Sequence, residues 1–303
     1  MRRIRTPEER FEGLPGFDFQ ANYVEVVDPT GGDPLRIAYL DEGPRDGAVV
    51  VLLHGEPSWS YLYRSMIPGL VGAGHRVVAP DLVGFGQSDK PTDREEYTFA
   101  RHVEWVRELL FDHLDLNEVT LFGQDWGSLI GLRLVGEHPG RFARVAIANG
   151  GLPTGEEPLG DAFKAWQDFS QSTPELHIGN IVSGGCTQHL SDDIIAAYDA
   201  PFPDESYKEG ARQFPKLVPT SPEDPAHDAN VAAWAVLAQW SKPFLCCFSD
   251  GDAITRGGER KFLATIPGTK DQAHTTIEGG GHFVQEDKGP ELAQVLNAFI
   301  EPR

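Results

Sequence analysis

The sequence has few cysteines, few cations and no long apolar run, and each scarcity excludes a class of protein. Three cysteines in 303 residues cannot build a disulfide framework. Only 26 lysines and arginines stand against 46 acidic residues, which gives a formal net charge of −20. Such a surface repels the phosphates on which general nucleic-acid binding depends. No apolar run approaches the ~20 residues that cross a bilayer. From the charge we therefore expect no nucleic-acid-binding protein, and from the apolar runs no membrane protein.

The amino-terminal stretch 1–20 contains four arginines but no apolar segment behind them, so no secretory signal is recognisable. An odd number of cysteines is also typical of a reducing compartment. We therefore expect a cytoplasmic protein. The sequence makes no prediction about its oligomeric state.

Short apolar runs alternate with amphipathic patterns along most of the chain. The runs expected to be buried strands are 49–53, 77–79, 119–122, 145–148 and 244–248. Helical patterns lie between them, for example 99–114 behind an N-cap at Thr98, and a last helix expected to start at Pro290. This alternation predicts an α/β fold with a mostly parallel central sheet flanked by helices.

The segment 152–230 interrupts this alternation. It is rich in proline, glycine, serine and acidic residues, and contains helix-like fragments but no convincing buried strand. We predict that it is an inserted helical cap domain, and that 1–151 and 231–303 together form the core. Because the insertion follows a strand, the cap would overhang the carboxyl edge of the sheet, where α/β proteins bind ligands.

The segment Gly123–Gly127 follows a predicted strand and opens a predicted helix. It has the Gly-x-x-x-Gly frame of a nucleophile elbow, with Asp125 where serine usually stands. The alternative is an ordinary glycine-rich turn. No Gly-x-Ser-x-Gly occurs in the chain, which argues against a serine esterase or lipase. An aspartate with a pKa of about 3.9 is ionised at neutral pH, so it can attack a saturated carbon without a base to deprotonate it.

Attack by an aspartate produces an ester, whose hydrolysis requires water and a general base. His282 follows three glycines and precedes the final helix, in the last place of the chain order nucleophile, acid, histidine. A histidine in a surface loop is the alternative. The acid is expected after the 244–248 strand, where Asp252 is favoured and Asp250 stays open; either residue could instead form a turn with Gly251.

The ester hydrolysis also needs donors for an oxyanion. In an elbow hydrolase these are main-chain N–H groups, one from the residue after the nucleophile and one from the loop after an early strand. Trp126 and Glu56 occupy these two places. A simple His-Gly-x-Pro turn is the alternative for the second.

Four segments, 54–59, 81–91, 124–127 and 281–286, resemble the haloalkane dehalogenases of the α/β-hydrolase superfamily. The resemblance extends over nearly the whole chain. It implies an α/β-hydrolase fold with a helical cap, and hydrolysis of small apolar halogenated substrates to an alcohol, a halide ion and a proton. It implies a covalent ester intermediate on the nucleophile, and no cofactor or metal.

The resemblance also implies a role for each matching residue. The nucleophile, base and acid are Asp125, His282 and Asp252; the halide-binding indoles are Trp126 and Trp166; the oxyanion donors are the N–H groups of Glu56 and Trp126. The residues expected to line an apolar pocket are Leu129, Phe163, Phe214, Pro215, Val218 and Ile254. For Trp166 the alternative is packing in a helical stripe with Phe163 and Phe169.

Other functions remain open at this point. An epoxide hydrolase shares the aspartate elbow but needs O–H donors over the epoxide oxygen, for which the cap offers Tyr198 and Tyr207. A fluoroacetate dehalogenase would need paired arginines beside the elbow, and these are absent from the sequence. A non-catalytic protein of the same fold that binds an apolar ligand would be expected to have lost a catalytic residue. No phosphate-binding or metal-ligand spacing occurs.

Overall fold

The computed structural model describes residues 2–27 and 33–301. The strands are β1 (Arg3–Ile4), β2 (Asn22–Val26), β3 (Leu35–Glu42), β4 (Val49–Leu53), β5 (Arg76–Pro80), β6 (Lys90–Pro91), β7 (Val119–Asp125), β8 (Phe142–Gly150) and β9 (Phe244–Cys246). The helices are α1 (Ile67–Gly72), α2 (Phe99–Arg107), α3 (Trp126–Glu137), α4 (Asp161–Ser172), α5 (Ile178–Gly185), α6 (Asp192–Asp199), α7 (Glu209–Leu217), α8 (His227–Leu237), α9 (Glu259–Thr265) and α10 (Val284–Ile300).

The central sheet has the order β2-β3-β5-β4-β7-β8-β9 within the described residues. Strands β5, β4, β7, β8 and β9 run parallel to one another, while β3 pairs antiparallel with both β2 and β5 at one side. The predicted mostly parallel sheet is therefore confirmed. Each apolar run expected to be a strand contributes one, although the run 244–248 forms a strand only as far as Cys246. Apolar side chains on both faces suit these strands because helices cover the sheet on either side.

Two helix predictions met different outcomes. The N-cap at Thr98 is confirmed, since its hydroxyl accepts a hydrogen bond from the Arg101 amide at 3.2 Å, and the helix continues beyond α2 as a π-helical segment, Glu108–His113. The expected start at Pro290 is confirmed in part, because α10 consists of two helices joined at a kink at Lys288: the first begins at Val284, and the second begins beside Pro290. A proline ring clashes with the carbonyl four residues earlier, so it produces a break within the helix.

The part of the chain between β8 and β9, all of it described, contains helices α4–α8 and no strand. This agrees with the helical character expected of 152–230. The expected limit at residue 230 lies inside α8, where Arg133 of α3 donates to the Asn230 side chain at 2.9 Å. Helix α8 therefore packs on the core, and the division into core and cap remains a prediction.

The parallel strands bring three loops to one edge of the sheet. Glu56 and Asp252 lie in the loops after β4 and β9, and Asp125 is the last residue of β7, directly before α3. An isolated parallel bridge between Ser249 and Ile277 draws the segment before His282 to the same edge. Among the described residues, no helix combines the length and apolar character needed to cross a bilayer.

Candidate active site

The turn between β7 and α3 presents Asp125 above the sheet. Its backbone has φ 50° and ψ −126°, a conformation that is costly for a residue other than glycine. The flanking glycines make the turn possible, because a side chain at Gly127 would collide with the Leu53 carbonyl oxygen and one at Gly123 would lie 2.7 Å from the Gly127 carbonyl oxygen. The predicted elbow is therefore present, with its carboxylate 23 % exposed.

The imidazole of His282 lies between two carboxylates. Its Nε2 is 3.6 Å from Oδ2 of Asp125, and its Nδ1 is 3.0 Å from Oδ2 of Asp252. Asp252 is buried and also accepts hydrogen bonds from the Ile254 amide at 2.8 Å and from the Thr255 hydroxyl. The open alternative, Asp250, is exposed and accepts instead from the amide of Gly279. The structure thus brings Asp252, and not Asp250, to the histidine.

This arrangement strongly shifts the pKa values of two of its members. Burial lowers the pKa of His282, but the charges and hydrogen bonds of Asp252 and Asp125 outweigh burial and raise that pKa to about 10. Burial raises the pKa of Asp252, but the charge of His282 and the hydrogen bonds from its three donors lower it to about 2. These opposite shifts favour a charged pair of imidazolium and carboxylate in the resting site.

Glu56 contributes both its backbone and its side chain to the site. Its amide donates to Oδ1 of Asp125 at 2.8 Å, as expected of an oxyanion donor, and Trp126 follows Asp125 as the first residue of α3. The residue is only 5 % exposed, and Oε1 of its buried carboxyl group has no hydrogen-bond partner within the described residues. Burial and the charge of Asp125 raise the pKa of Glu56 well above its usual range, against a hydrogen bond from Trp166. The sequence analysis gave Glu56 only a backbone role and missed this buried carboxyl group with its raised pKa.

The carboxylate of Asp125 opens into a cavity of about 220 Å³. Both predicted indoles line it, Trp126 almost fully buried and Trp166 half-buried. The alternative of a packed helical stripe is weakened because Phe169, 6.0 Å from the Trp166 ring, is 47 % exposed. The lining residues that the sequence analysis did not identify are Pro57, Ile181, Gly184, Gly185 and Phe283.

A second cavity of about 520 Å³ adjoins the first and shares Asp125, Trp126, Phe163 and Ile254 with it. The predicted pocket residues that line one or both cavities are Leu129, Phe163, Pro215, Val218 and Ile254.

The expectation for Phe214 is wrong. The centroid of its ring lies 4.6 Å from that of Trp126, and the ring also contacts Phe85 and His102. Phe214 lines neither cavity. It is a core residue behind the indole, because α7 buries this side chain fully among the rings of Trp126, Phe85 and His102.

Two buried amides at the same sheet edge escaped the sequence analysis. Gln124 immediately precedes the nucleophile, and Asn149 lies near the end of β8. The side chains of both donate to the carbonyl oxygen of His282, at 3.1 and 3.0 Å. Both residues lie at the carboxyl ends of neighbouring parallel strands, and this position in the sequence could have identified them as residues near the active site. In the described part of the chain, no group of three or more His, Cys, Asp or Glu side chains is placed to hold a metal ion.

Comparisons with known proteins agree on one family. The model of the alpha/beta hydrolase fold matches residues 48–289. A haloalkane dehalogenase of Psychrobacter cryohalolentis is 58 % identical over 99 % of this chain and 98 % of that protein, and one of Mycolicibacterium paratuberculosis is 53 % identical over 97 % of each. The solved structure of the tetrameric haloalkane dehalogenase DpaA from Paraglaciecola agarilytica NO2 superimposes with a TM-score of 0.91, at 39 % identity over the whole of both chains.

Proposed function

We propose that this chain, which belongs to the haloalkane dehalogenases and hydrolyses carbon–halogen bonds, does so through an alkyl ester on Asp125. The observation that carries the proposal is the setting of that carboxylate. One of its oxygens accepts a hydrogen bond from the Glu56 amide at 2.8 Å, and the other lies 3.6 Å from Nε2 of His282. Both oxygens lie at a cavity lined by two indoles. A nucleophile, a base and anion donors thus surround one small space.

In the first step, a carboxylate oxygen of Asp125 attacks the halogen-bearing carbon from the side opposite the halogen. The new C–O bond forms as the carbon–halogen bond breaks, and its electron pair leaves with the halide. An indole N–H group only donates hydrogen bonds, so Trp126 and Trp166 can both donate to the anion as it develops, Trp166 in exchange for its hydrogen bond to the Glu56 side chain. Halide needs no proton to leave, and no general acid is required.

In the second step, water attacks the carboxyl carbon of the ester, and Nε2 of His282 takes a proton from it. Alkylation makes this possible because it neutralises Asp125, one of the two carboxylates that raise the pKa of His282, so the imidazolium first releases its Nε2 proton to solvent. The N–H groups of Glu56 and Trp126 hold the oxyanion, while Asp252 holds the Nδ1 proton of the imidazole. On collapse, the bond between the carboxyl carbon and the alkyl oxygen breaks, and that oxygen takes a proton from His282 and leaves as the alcohol. The carboxyl proton left on Asp125 passes to His282, which restores the carboxylate and the imidazolium, and over the whole cycle one proton goes to solution.

The Glu56 side chain suits this chemistry in its neutral form. A carboxylate at this end of the cavity would repel the leaving halide, and the raised pKa of Glu56 favours the protonated, uncharged form of its carboxyl group. We therefore infer that Glu56 adds no charge at the site while its amide serves as a donor. A glutamine in its place would preserve these properties.

Small unbranched primary haloalkanes, such as 1-bromobutane and 1,2-dibromoethane, fit the cavity of about 220 Å³ beside Asp125. The adjoining cavity of about 520 Å³ offers apolar side chains to a longer chain. The expected alternative of epoxide opening finds less support, because Tyr198 is buried against Glu286 and neither Tyr198 nor Tyr207 lines these cavities.

Trapping of the ester tests the function. A His282→Phe variant mixed with 1-bromobutane should gain the mass of one butyl group, on the peptide that contains Asp125, because the ester forms but no base activates water. The unmodified protein should release bromide from the same substrate. No mass gain in the variant, together with no bromide from the unmodified protein, would overturn the proposal.

A cytoplasmic location is also proposed. The three cysteines, Cys186, Cys246 and Cys247, are free thiols, as suits a reducing compartment. Fractionation of the native host tests this, and recovery of the enzyme outside the cytoplasm would contradict it.

A further inference from the structure

The side chain of Gln124 is fully buried and directed at the catalytic histidine. Its Nε2 lies 3.1 Å from the His282 carbonyl oxygen and 3.3 Å from the Nε2 of the imidazole. Its Oε1 lies 3.4 Å from Nε2 of Gln285. None of the steps described above uses this amide.

The partners of the amide fix its orientation. A main-chain carbonyl only accepts hydrogen bonds, so the atom beside the His282 oxygen is the amide nitrogen. On the other side, Oε1 of Gln124 accepts from Gln285, whose nitrogen also lies 3.4 Å from the hydroxyl of Tyr63. The Tyr63 hydroxyl donates its hydrogen bond to the Leu53 carbonyl oxygen at 2.7 Å, so it can only accept a hydrogen bond from Gln285. Gln124 therefore presents a donor to the imidazole.

A donor that faces Nε2 disfavours a proton on that atom. When His282 is protonated, two N–H groups oppose each other at 3.3 Å. When it is neutral with its proton on Nδ1, toward Asp252, the lone pair of Nε2 can accept from the amide. Gln124 thus acts against the two carboxylates. Gln124, Asp125 and Asp252 all act on the protonation of His282, and of these only the effect of Asp125 disappears when the ester forms.

We propose that Gln124 is a positioning residue that selects the neutral, Nδ1-protonated form of His282 in the alkyl-enzyme. This is the form that removes a proton from the hydrolytic water, so the inference rests on the proposed function. A separation of 3.3 Å is long for a hydrogen bond, and a water molecule can therefore displace the amide from the lone pair.

Removal of the amide should leave the fold intact. In Gln124→Met the side chain keeps nearly its volume, the His282 carbonyl still accepts from Asn149 at 3.0 Å, and Gln285 keeps its contact with Tyr63. The matched control is Gln213→Met, which replaces a second buried glutamine; it lies on α7 and forms no hydrogen bond with His282 within the described residues.

The titration of His282, followed by nitrogen NMR, tests the inference without any turnover. Asp125→Asn serves as the background because its neutral side chain stands in for the esterified carboxyl. Adding Gln124→Met should raise the titration midpoint of His282 by about one pH unit, while adding Gln213→Met should leave it in place. An unchanged midpoint in the Gln124→Met protein would overturn the inference.

Rapid-quench kinetics with 1-bromobutane test the same role in the working enzyme. At neutral pH, Gln124→Met should slow hydrolysis of the alkyl-enzyme about tenfold, as a one-unit change in the pKa of the base predicts. Formation of the alkyl-enzyme should stay within about twofold, and hydrolysis should recover as the pH is raised. Equal slowing of both steps without this recovery would indicate a merely structural role and contradict the inference. If the unmodified protein formed no alkyl-enzyme, the proposed function would fail, and the NMR titration alone would decide the role of Gln124.

Discussion

The carboxylate of Asp252 holds the imidazole of His282 from behind, with 3.0 Å between Oδ2 and Nδ1. The Asp252 side chain is fully buried and receives further hydrogen bonds from the Ile254 amide and the Thr255 hydroxyl, so its position does not depend on the histidine alone. This contact fixes which ring nitrogen carries the proton and which faces Asp125.

Replacement of the acid should separate the two chemical steps. We expect Asp252→Asn to slow hydrolysis of the alkyl-enzyme about 10²- to 10⁴-fold, since an amide no longer stabilises the imidazolium or selects its tautomer. Alkylation, which needs no base, should change far less. The control is Asp250→Asn, because Asp250 faces the Gly279 amide and not the histidine. Rapid-quench measurements in which Asp250→Asn is the more damaging change would refute the assignment.

The second indole should matter most while the halide departs. Trp166→Phe keeps an aromatic ring in the cavity but loses the N–H donor, so we expect alkylation to slow by about 10²- to 10³-fold. Bromide binding, followed by quenching of tryptophan fluorescence, should weaken in parallel. Phe169→Leu, on the same helix and 47 % exposed, provides the control. Unaltered bromide binding in Trp166→Phe would show that this side chain only packs.

The pKa values of the site predict how its ion pair supports the fold. The folded pKa of His282, about 10, exceeds the ordinary value of 6.5, so its contribution is complete below pH 6.5 and is lost as the pH rises through 10. The folded pKa of Asp252, about 2, lies below 3.8, so its contribution is complete above 3.8 and is lost as the pH falls through 2.

Urea unfolding should reveal the pH range in which both His282 and Asp252 stabilise the fold. The free energy of unfolding of the unmodified protein relative to His282→Gln should be largest between about pH 4 and 6.5. The difference should shrink steadily toward pH 10. A difference that grows over that alkaline range would mean that the histidine is neutral in the folded protein.

The elbow glycines should tolerate no side chain. A methyl group at Gly127 would collide with the Leu53 carbonyl oxygen, so we expect Gly127→Ala to lower the free energy of unfolding by about 3 kcal/mol or more. Gly72, at the end of α1, has open space around it, and Gly72→Ala should be neutral or stabilising by up to about 1 kcal/mol. Similar stabilities for the two variants would show that the elbow can relax.

Features encoded by neighbouring residues could be predicted from the sequence. The apolar run 49–53 coincides with β4, because a buried parallel strand requires apolar side chains on both faces. Asp125 could be recognised because the elbow needs glycines at fixed spacing, and His282 because its chain order and its glycine-rich loop are local properties. The parallel sheet then brings these residues together.

Features that depend on packing between distant segments could not be predicted in this way. Phe214 faces Trp126 instead of the cavity because of the way α7 lies on the core, which its own sequence does not specify. The raised pKa of Glu56 results from burial among residues far along the chain. The contact of Gln124 with Gln285 joins residues 161 positions apart.

A single turnover in ¹⁸O-labelled water tests the ester on Asp125 most directly. With enzyme in excess over 1-bromobutane, the oxygen of the alcohol should come from the carboxylate, so the 1-butanol should be unlabelled and the ¹⁸O should appear in the peptide that contains Asp125. Labelled 1-butanol with an unlabelled Asp125 would mean that water attacks the substrate carbon itself, and would contradict the covalent route.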